Sequence, residues 1–172
     1  DIAFGAQLVI EKSLDARSCG AISSCDIRRY YDSICVLTVA RFMLDRGCDP
    51  ALCVAVLCHQ IKPQVVLHLL DVSVPLKPRC VGGLTGSRIA GSVGQIILHE
   101  SMSTNAEAWR RKGFKPGDHC LTVCSWIDNI HVFSNNFRHA LEVCFEFERH
   151  VSNKWQLQIK PSSKCCLVAR GN

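Results

Sequence analysis

Two short stretches of this chain carry acidic residues in settings where they could hold a metal ion. Asp26 lies in CDIRRYYDSI (Cys25–Ile34), which also contains Asp32, and Asp128 lies in CSWIDNIHVF (Cys124–Phe133). The first acid follows a short apolar run, and Asp128 separates two apolar runs typical of hairpin arms. An acid at a strand end and an acid in a tight turn can converge, and Mg²⁺ prefers carboxylate oxygens. The pattern therefore predicts a divalent-metal site formed by Asp26 and Asp128.

Other interpretations of the same residue types stay open. Asp26 alone is typical of a strand end, Asp128 alone suits a tight turn, and Asp32 is interpreted as structural. Zinc is a competing hypothesis, although no paired CxxC ligands occur. The candidate zinc ligands are Cys53, Cys58 and His59, or His119, Cys120 and Cys124.

Composition limits what such a site could belong to. The chain has 172 residues, 48% of them hydrophobic, and predicts one domain spanning residues 1–172. A net charge of +5 is compatible with a polyanionic partner. No apolar run approaches the roughly 20 residues of a membrane span, so we expect a soluble protein with no membrane contact. The chain begins at Asp1 without a signal peptide, and we expect an intracellular fragment, nuclear or cytoplasmic, of a longer protein.

The twelve cysteines mostly lie within apolar periodic segments. That placement predicts reduced core residues rather than a disulfide framework.

The N-terminal half predicts helices around a short strand. A helix with apolar Phe4, Leu8, Ile10 and Leu14 precedes a strand over 21–24 that leads to the first acid. A second helix ends at Gly47, and a third begins after Asp49 and continues to about Gln60, where Pro63 stops it.

The middle of the chain predicts one or two strands over 64–76 and then a glycine-rich segment, Gly82–Gly94, before a helix. The glycines suit either a flexible turn or a close approach to a phosphate. Residues 103–119 predict a surface helix and loop. Their basic cluster suits either a solvated face or a nucleic-acid contact, and consists of Arg110, Arg111, Lys112 and Lys115.

The C-terminal half predicts a hairpin, a helix and a second hairpin. Strands over His119–Trp126 and Ile130–Phe133 flank a two-residue turn, Asp128 and Asn129. The helix, Phe137–His150, has an apolar face that includes Phe145. WQLQI and CCLVA then alternate like strands around the turn PSSK. The element order predicts an α+β fold with an antiparallel sheet.

Three motifs, in order, resemble those of the reverse transcriptases of non-LTR retrotransposons and group II introns. The first stretch resembles LDIxKAFDSV, with Asp26 at the metal-binding acid and Tyr31 at the aromatic position. WIDN resembles the YADD hairpin, with Asp128 and Asn129 at its two acids. WQLQIKPSSKCCLVARG resembles GLxINxxKT and places Lys164 at the lysine.

The glycine motif QGxxxSP is matched only at Gly86. Thr85 stands where the family has Gln, Ala90 where it has Ser, and Asn129 where it has Asp.

The resemblance implies a right-hand polymerase palm, with an antiparallel sheet packed on helices, partial fingers and no thumb. It implies RNA-directed DNA polymerase activity on an RNA template, a DNA primer and deoxynucleoside triphosphates, with Mg²⁺ or Mn²⁺ held by Asp26 and Asp128. The Ile27 carbonyl would be a further ligand, Tyr31 a steric gate under the incoming sugar, and Lys164 the acid that protonates pyrophosphate. The fragment alone is not expected to polymerise.

Two further function classes remain open. A catalytically decayed palm that acts as an RNA-binding or structural domain is favoured by Asn129 and by the glycine motif, which is matched at Gly86 alone. A cysteine- and histidine-rich zinc module unrelated to polymerases is the other.

Overall fold

A computed structural model describes residues 2–61, 66–75, 81–83 and 86–170. The chain forms two compact units, the first from residues 1–28 and 98–172 and the second from residues 29–97. The prediction of one domain over residues 1–172 stays a prediction. The helices are α1 (Ile2–Asp15), α2 (Tyr30–Ser33), α3 (Val36–Asp45), α4 (Pro50–Ile61), α5 (Arg88–Lys112) and α6 (Phe137–Trp155). The strands are β1 (Cys19–Asp26), β2 (Val66–Leu69), β3 (Val72–Pro75), β4 (Val123–Trp126), β5 (Asn129–Ser134) and β6 (Cys165–Arg170).

The first unit is organised around a four-stranded antiparallel sheet in the order β4-β5-β1-β6. Strand β1 is central, with Ile22 paired to Phe133 of β5 and Ser24 paired to Cys165 of β6. The predicted α+β class with an antiparallel sheet is therefore confirmed.

The two faces of β1 contact different helices, because successive side chains on a strand point to opposite faces. At Gly20 a Cβ atom would lie 2.7 Å from Cγ1 of Val9, so α1 packs closely on that face. Ser23 lies on the other face, where the Cys144 thiol of α6 donates a hydrogen bond to its hydroxyl at 3.2 Å. The same alternation directs Asp26 to the α1 side of the sheet.

The first helix has the predicted position but buries a different face. Phe4 is 65% exposed, whereas Gly5, Val9 and Ser13 are buried. Small side chains face the sheet because the backbone of β1 passes close by at Gly20. The apolar spacing therefore predicted the helix correctly and its buried side incorrectly.

Helix α6 shows the same kind of difference. Asn136 caps it, accepting a hydrogen bond from the backbone N–H of Arg138 at 2.8 Å, as the Ser-Asn-Asn run predicts. Phe145 is 58% exposed, however, and Phe137 is exposed as well. The buried face consists of Ala140, Val143, Phe147, Val151 and Trp155.

The predicted second hairpin is wrong. WQLQI does not form a strand, because α6 continues to Trp155 and ends where Gln156 adopts a left-handed φ of 58°. Ile159 then makes an isolated bridge with Ile27, and β6 pairs with β1 instead. The alternation in WQLQI reflects the burial of Trp155, Leu157 and Ile159 at a helix end and in an extended segment.

The long helix α5 replaces the predicted surface helix and loop. It extends to Lys112 and buries Trp109, whose indole N–H donates to Glu146 at 2.8 Å. Lys112 of the basic cluster also bonds Glu146, at 2.6 Å, so this lysine is half-buried in an ion pair rather than part of a solvated face.

The second unit confirms the predicted helix boundaries. Helix α3 ends before Gly47, which has a φ of 79°, and the N–H of Cys48 bonds the carbonyl of Met43 at 3.0 Å. The Asp49 carboxylate caps α4 by accepting from the N–H of Ala51 at 2.8 Å. Strands β2 and β3 form a hairpin within the predicted strand region. Pro63 lies outside the described residues.

The cysteines are free but less buried than predicted. Eleven lie in the described parts of the chain, all as free thiols, and only Cys25 and Cys53 are fully buried. Within those same parts, no group of three or more His, Cys, Asp or Glu side chains could hold a metal ion, so neither predicted zinc cluster forms. No helix among the described residues combines the length and the apolar character needed to cross a bilayer.

Candidate metal centre

Asp26 is fixed at the end of β1 by bonds on both sides of its backbone. Its N–H donates to Oγ of Ser163 at 2.9 Å, and its carbonyl accepts from the N–H of Lys160 at 2.8 Å. On the other side, the N–H of Ile27 donates to the Asp128 carbonyl at 3.1 Å. These bonds hold the first acid beside the β4–β5 turn.

The structure brings Asp26 and Asp128 together, as the sequence predicts. Burial and the negative charge of Asp128 raise the pKa of Asp26, and a hydrogen-bond contact between the two carboxyl groups raises it further. The charge of Lys160 opposes this shift. Two carboxylates in contact repel unless a proton or a cation lies between them.

One oxygen of Asp26 lacks a partner. Its Oδ1 is buried and accepts no hydrogen bond from any residue that the structure describes. A buried acceptor without a partner costs about 1–3 kcal/mol. A bound cation would remove that cost, so this oxygen is the strongest structural indication of a metal ligand.

The hairpin turn begins one residue earlier than predicted. Trp126 pairs with Asn129, so the two-residue turn consists of Ile127 and Asp128 rather than Asp128 and Asn129. Ile127 takes a φ of 58°, a region that β-branched residues rarely adopt. The turn that positions the second acid therefore holds a strained residue.

Asn129 lies beside the acids and is exposed. Its side-chain amide donates to Oδ1 of Asp128 at 3.5 Å, a long hydrogen bond, and the residue is exposed. In the register of β1 and β5 it is the residue paired with Asp26. Asn129 therefore supports Asp128 without adding a charge.

Lys164 has a different neighbour from the one its predicted role requires. Its Nζ bonds Oε2 of Glu148 at 2.6 Å and lies 5.4 Å from the ring centre of Phe145. The cation whose charge acts on Asp26 is Lys160. Sequence reasoning missed Lys160, since only the long-range bridge between Ile27 and Ile159 brings it there. The catalytic role of Lys164 stays a prediction.

Three predicted site residues remain. Ile27 belongs to the first unit, and Tyr31 and Gly86 belong to the second. Ile27 is buried, at 1% exposure. Tyr31 is half-buried, its ring centre 5.3 Å from that of Tyr30, and its carbonyl accepts from the N–H of Gly83 at 2.7 Å. Gly86 is exposed with a φ of 89°, and a side chain there would meet nothing within 4 Å. Thr85 lies outside the described residues.

Tyr30, rather than Tyr31, is the core tyrosine of the motif. It is 2% exposed and its hydroxyl donates to the carbonyl of Gly94 at 2.6 Å. A Cβ at Gly94 would lie 3.0 Å from the Tyr30 ring, so glycine permits this contact. Tyr31 is therefore available for a role at the surface of its unit.

The donors at the β1 end fit a small, hard divalent cation. They are carboxylate oxygens, which Mg²⁺ and Mn²⁺ prefer, and one of them is buried without a partner. Two protein carboxylates suffice when substrate phosphates complete the coordination. The site therefore suits a metal that binds together with a phosphorylated substrate.

Comparisons with known proteins support the fold. No protein-family model and no curated protein sequence matches the chain. The solved structure of apo telomerase from Candida tropicalis, truncated from its C-terminal domain, aligns over 98% of this chain with a TM-score of 0.69 and 9% identity. The chain spans 35% of that telomerase chain. The chain therefore shares the fold of the part of that telomerase with which it aligns.

Proposed function

We propose that this chain is the palm, with part of the fingers, of a reverse transcriptase related to those of non-LTR retrotransposons and group II introns. The telomerase-like fold supports the polymerase class at low sequence identity. The three sequence motifs support the finer assignment. The proposed partners are an RNA template, a DNA primer and deoxynucleoside triphosphates.

The contact between Asp26 and Asp128 carries this proposal. One acid ends the central strand and the other lies in the adjacent hairpin turn, as the resemblance requires. The raised pKa of Asp26 and its unpartnered Oδ1 have no use in a purely structural pair. Both are explained if the two acids hold a cation.

In this mechanism Asp26 and Asp128 would hold Mg²⁺ or Mn²⁺, with the Ile27 carbonyl as a further ligand. A metal held there would supply activation of the primer hydroxyl and stabilisation of the leaving pyrophosphate. The backbone bonds of Asp26 keep its carboxylate in place, and Lys160 supplies a positive charge beside it. This preorganisation lets the acids act without rearrangement.

Two other residues complete the proposed chemistry. Tyr31 would lie under the incoming sugar and exclude a 2′-hydroxyl. Lys164 would donate a proton to the leaving pyrophosphate, and it must first leave Glu148, to which it is paired at 2.6 Å.

A catalytically decayed palm that binds RNA is the second candidate. Asn129 removes one negative charge from the site, and the ion pair with Glu148 occupies Lys164. Both observations favour a fold that has kept its acids without efficient catalysis.

Primer extension separates these candidates. The chain is tested with the fingers and thumb that the resemblance places outside it, using an RNA template, a DNA primer and either Mg²⁺ or Mn²⁺. We expect extension that Asp26→Asn and Asp128→Asn each abolish, whereas the exposed control Asp15→Asn leaves it unchanged. RNA binding without extension in every variant would support the decayed palm instead.

A further inference from the structure

The edge strand β4 leaves part of its backbone without a strand partner. Within the described part of the chain it pairs with β5 alone. The carbonyl of Thr122 accepts from the N–H of Phe133 at 2.7 Å, so the backbone groups of residues 122, 124 and 126 face β5. By the same alternation, the N–H and carbonyl groups of Val123 and Ser125 point away from the sheet. Strand β4 therefore presents the donors and acceptors that an added strand needs.

An apolar groove lies beside this edge, between β4 and the start of α1. Its volume is about 920 Å³, and residues 2–5 and 121–126 line it together with Phe133. Two of its aromatic side chains are largely exposed, Phe4 at 65% and Trp126 at 67%. An apolar groove next to a strand edge suits the alternate side chains of an extended peptide.

A second groove, of about 720 Å³, adjoins the first and carries cationic side chains. The two grooves share Phe4 and Leu121 in their linings. The charged and titratable residues that line the second groove are Lys12, Arg110, Asp118 and His119. The apolar groove therefore leads to a basic end.

The cations at this end are largely unneutralised. Arg110 is exposed and forms no ion pair with any residue that the structure describes. The Lys12 Nζ lies 3.9 Å from Oδ2 of Asp15, a distant pair on the surface. Arg111 and Lys115, which are close to Arg110 in sequence, are exposed as well. The three exposed members of the basic cluster are therefore available to an acidic partner.

We propose that β4 and these two grooves bind an extended segment of another protein, which adds a strand at the β4 edge. Alternate apolar side chains of that segment would enter the first groove, and acidic residues would follow toward Arg110. The partner is therefore an acidic peptide with alternating apolar residues. This proposal goes beyond polymerase chemistry and does not depend on it.

Two other occupants fit these features less well. The phosphate oxygens of a nucleic acid only accept hydrogen bonds, so they would leave the carbonyls of Val123 and Ser125 without donors. A second copy of the chain would bring together two proteins that each carry a net charge of +5. A peptide backbone supplies both donors and acceptors, and acidic residues complement the cations.

The added strand would lie next to the hairpin that holds the second acid. Trp126 ends β4, and the turn formed by Ile127 and Asp128 follows at once. Strand addition would thus give a partner protein a contact two residues from Asp128.

Peptide binding to the 172-residue chain tests the proposal. The probes are the fluorescein-labelled peptide Thr-Val-Thr-Val-Thr-Gly-Glu-Asp-Glu and the peptide of reversed sequence, because an added strand can run in either direction. Binding is followed by fluorescence anisotropy. We expect at least one peptide to bind, with an affinity that falls as salt is raised. The same peptide with lysine in place of its acids should bind at least about tenfold more weakly.

The backbone contact is tested at Val123. Val123→Pro removes an outward-facing N–H, a change that edge strands tolerate, and should weaken binding by at least about tenfold. Val123→Thr keeps that N–H and should bind like the native chain. If Val123→Pro does not fold, N-methylated peptides decide with the native chain. Methylation of one alternate set of peptide amides should cause the same loss, and methylation of the other set should not.

The charged contact is tested at Arg110. Arg110→Gln should weaken binding by about threefold, whereas Arg149→Gln, which removes an exposed charge on α6, should leave it unchanged.

Several outcomes would overturn the proposal. They are the failure of both peptides to bind, and equal binding by Val123→Pro and Val123→Thr. A dimer that Val123→Pro dissociates, detected by sedimentation, would assign the edge to a second copy. A single-stranded RNA that displaces the bound peptide and binds Arg110→Gln more weakly would assign the grooves to nucleic acid.

Discussion

Two acids in the first unit, Glu100 and Asp26, differ in their hydrogen-bond partners and in the direction of their pKa shifts. The Glu100 side chain is 4% exposed and accepts hydrogen bonds from Lys154, from Thr104 at 2.8 Å and from the Trp155 indole at 3.1 Å, with His150 3.0 Å away. Burial alone would raise the pKa of Glu100, but the bonds from Lys154, His150 and Thr104 outweigh it and lower the pKa to about 2.

Asp26 has the opposite surroundings. Its Oδ1 has no partner among the described residues. Burial raises the pKa of Asp26, and the neighbouring charge with the largest effect, that of Asp128, raises it further. The comparison shows that burial does not identify a functional acid. A carboxylate that the protein itself satisfies stabilises the fold, whereas one left unsatisfied beside another acid is suited to bind a cation.

The largest expected effect is on stability. Glu100→Ala should lower the free energy of unfolding by about 3 kcal/mol, because it leaves a buried set of donors without their shared acceptor. Asp26→Asn should not lower it, since the ionised form of Asp26 is already disfavoured in the fold. Urea unfolding followed by circular dichroism measures both, with the exposed Glu107→Ala on the same helix as the control. Equal losses of stability in the Glu100 and Asp26 variants would contradict the claim that only the carboxylate with partners stabilises the fold.

The second prediction concerns acid. The pKa of Glu100 is lowered from 4.5 to about 2 in the fold, so its contribution is present above about pH 4.5 and is lost as pH falls toward 2. That contribution is about 3 kcal/mol by linkage. Unfolding measured across this window should show a shallower decline in Glu100→Gln than in the native chain. If the free energy of unfolding declined equally in both proteins, the partners of Glu100 would not be lowering its pKa.

The third prediction concerns the strained turn beside the acid pair. Ile127→Gly should raise the free energy of unfolding by about 1 kcal/mol, because glycine accepts the positive φ without strain. Ile127→Ala keeps a Cβ and should give no such gain. Thermal unfolding of the two variants tests this difference. If Ile127→Ala gained as much stability as Ile127→Gly, the gain would come from removing the isoleucine side chain and not from relieving backbone strain.

The smallest expected effect is that of Asn129→Asp. A third carboxylate in a partly buried site should strengthen Mn²⁺ binding by up to about tenfold, because charge near the metal is worth more there than in bulk water. The exposed Asn153→Asp on α6 controls for a general change in net charge. Mn²⁺ titration compares them, and equal gains in both variants would show a nonspecific electrostatic effect.

Local chemistry made much of the fold predictable. Gly47 and Asp49 mark a helix end and a helix start through backbone requirements that depend on a few adjacent residues. The acid pair was predictable for a related reason, because a strand end and a neighbouring hairpin turn follow from apolar runs and turn residues.

Long-range packing limited the rest. Apolar spacing predicts a helix but does not show which side is buried, so the exposure of Phe4 and Phe145 was missed. The pairing of β6 with β1, and the position of Lys160 beside Asp26, depend on residues far apart in sequence. Ile127 at a positive φ has no local signal, since a β-branched residue disfavours that conformation.

Mn²⁺ binding to the 172-residue chain, followed by electron paramagnetic resonance, tests the cation site most directly. We expect the native chain to bind Mn²⁺, and Asp26→Asn and Asp128→Asn each to weaken binding by at least about tenfold, because each removes a carboxylate from the ion. The exposed control Asp15→Asn should bind like the native chain. Equal Mn²⁺ affinity in all four proteins would contradict the assignment of Asp26 and Asp128 as the metal ligands.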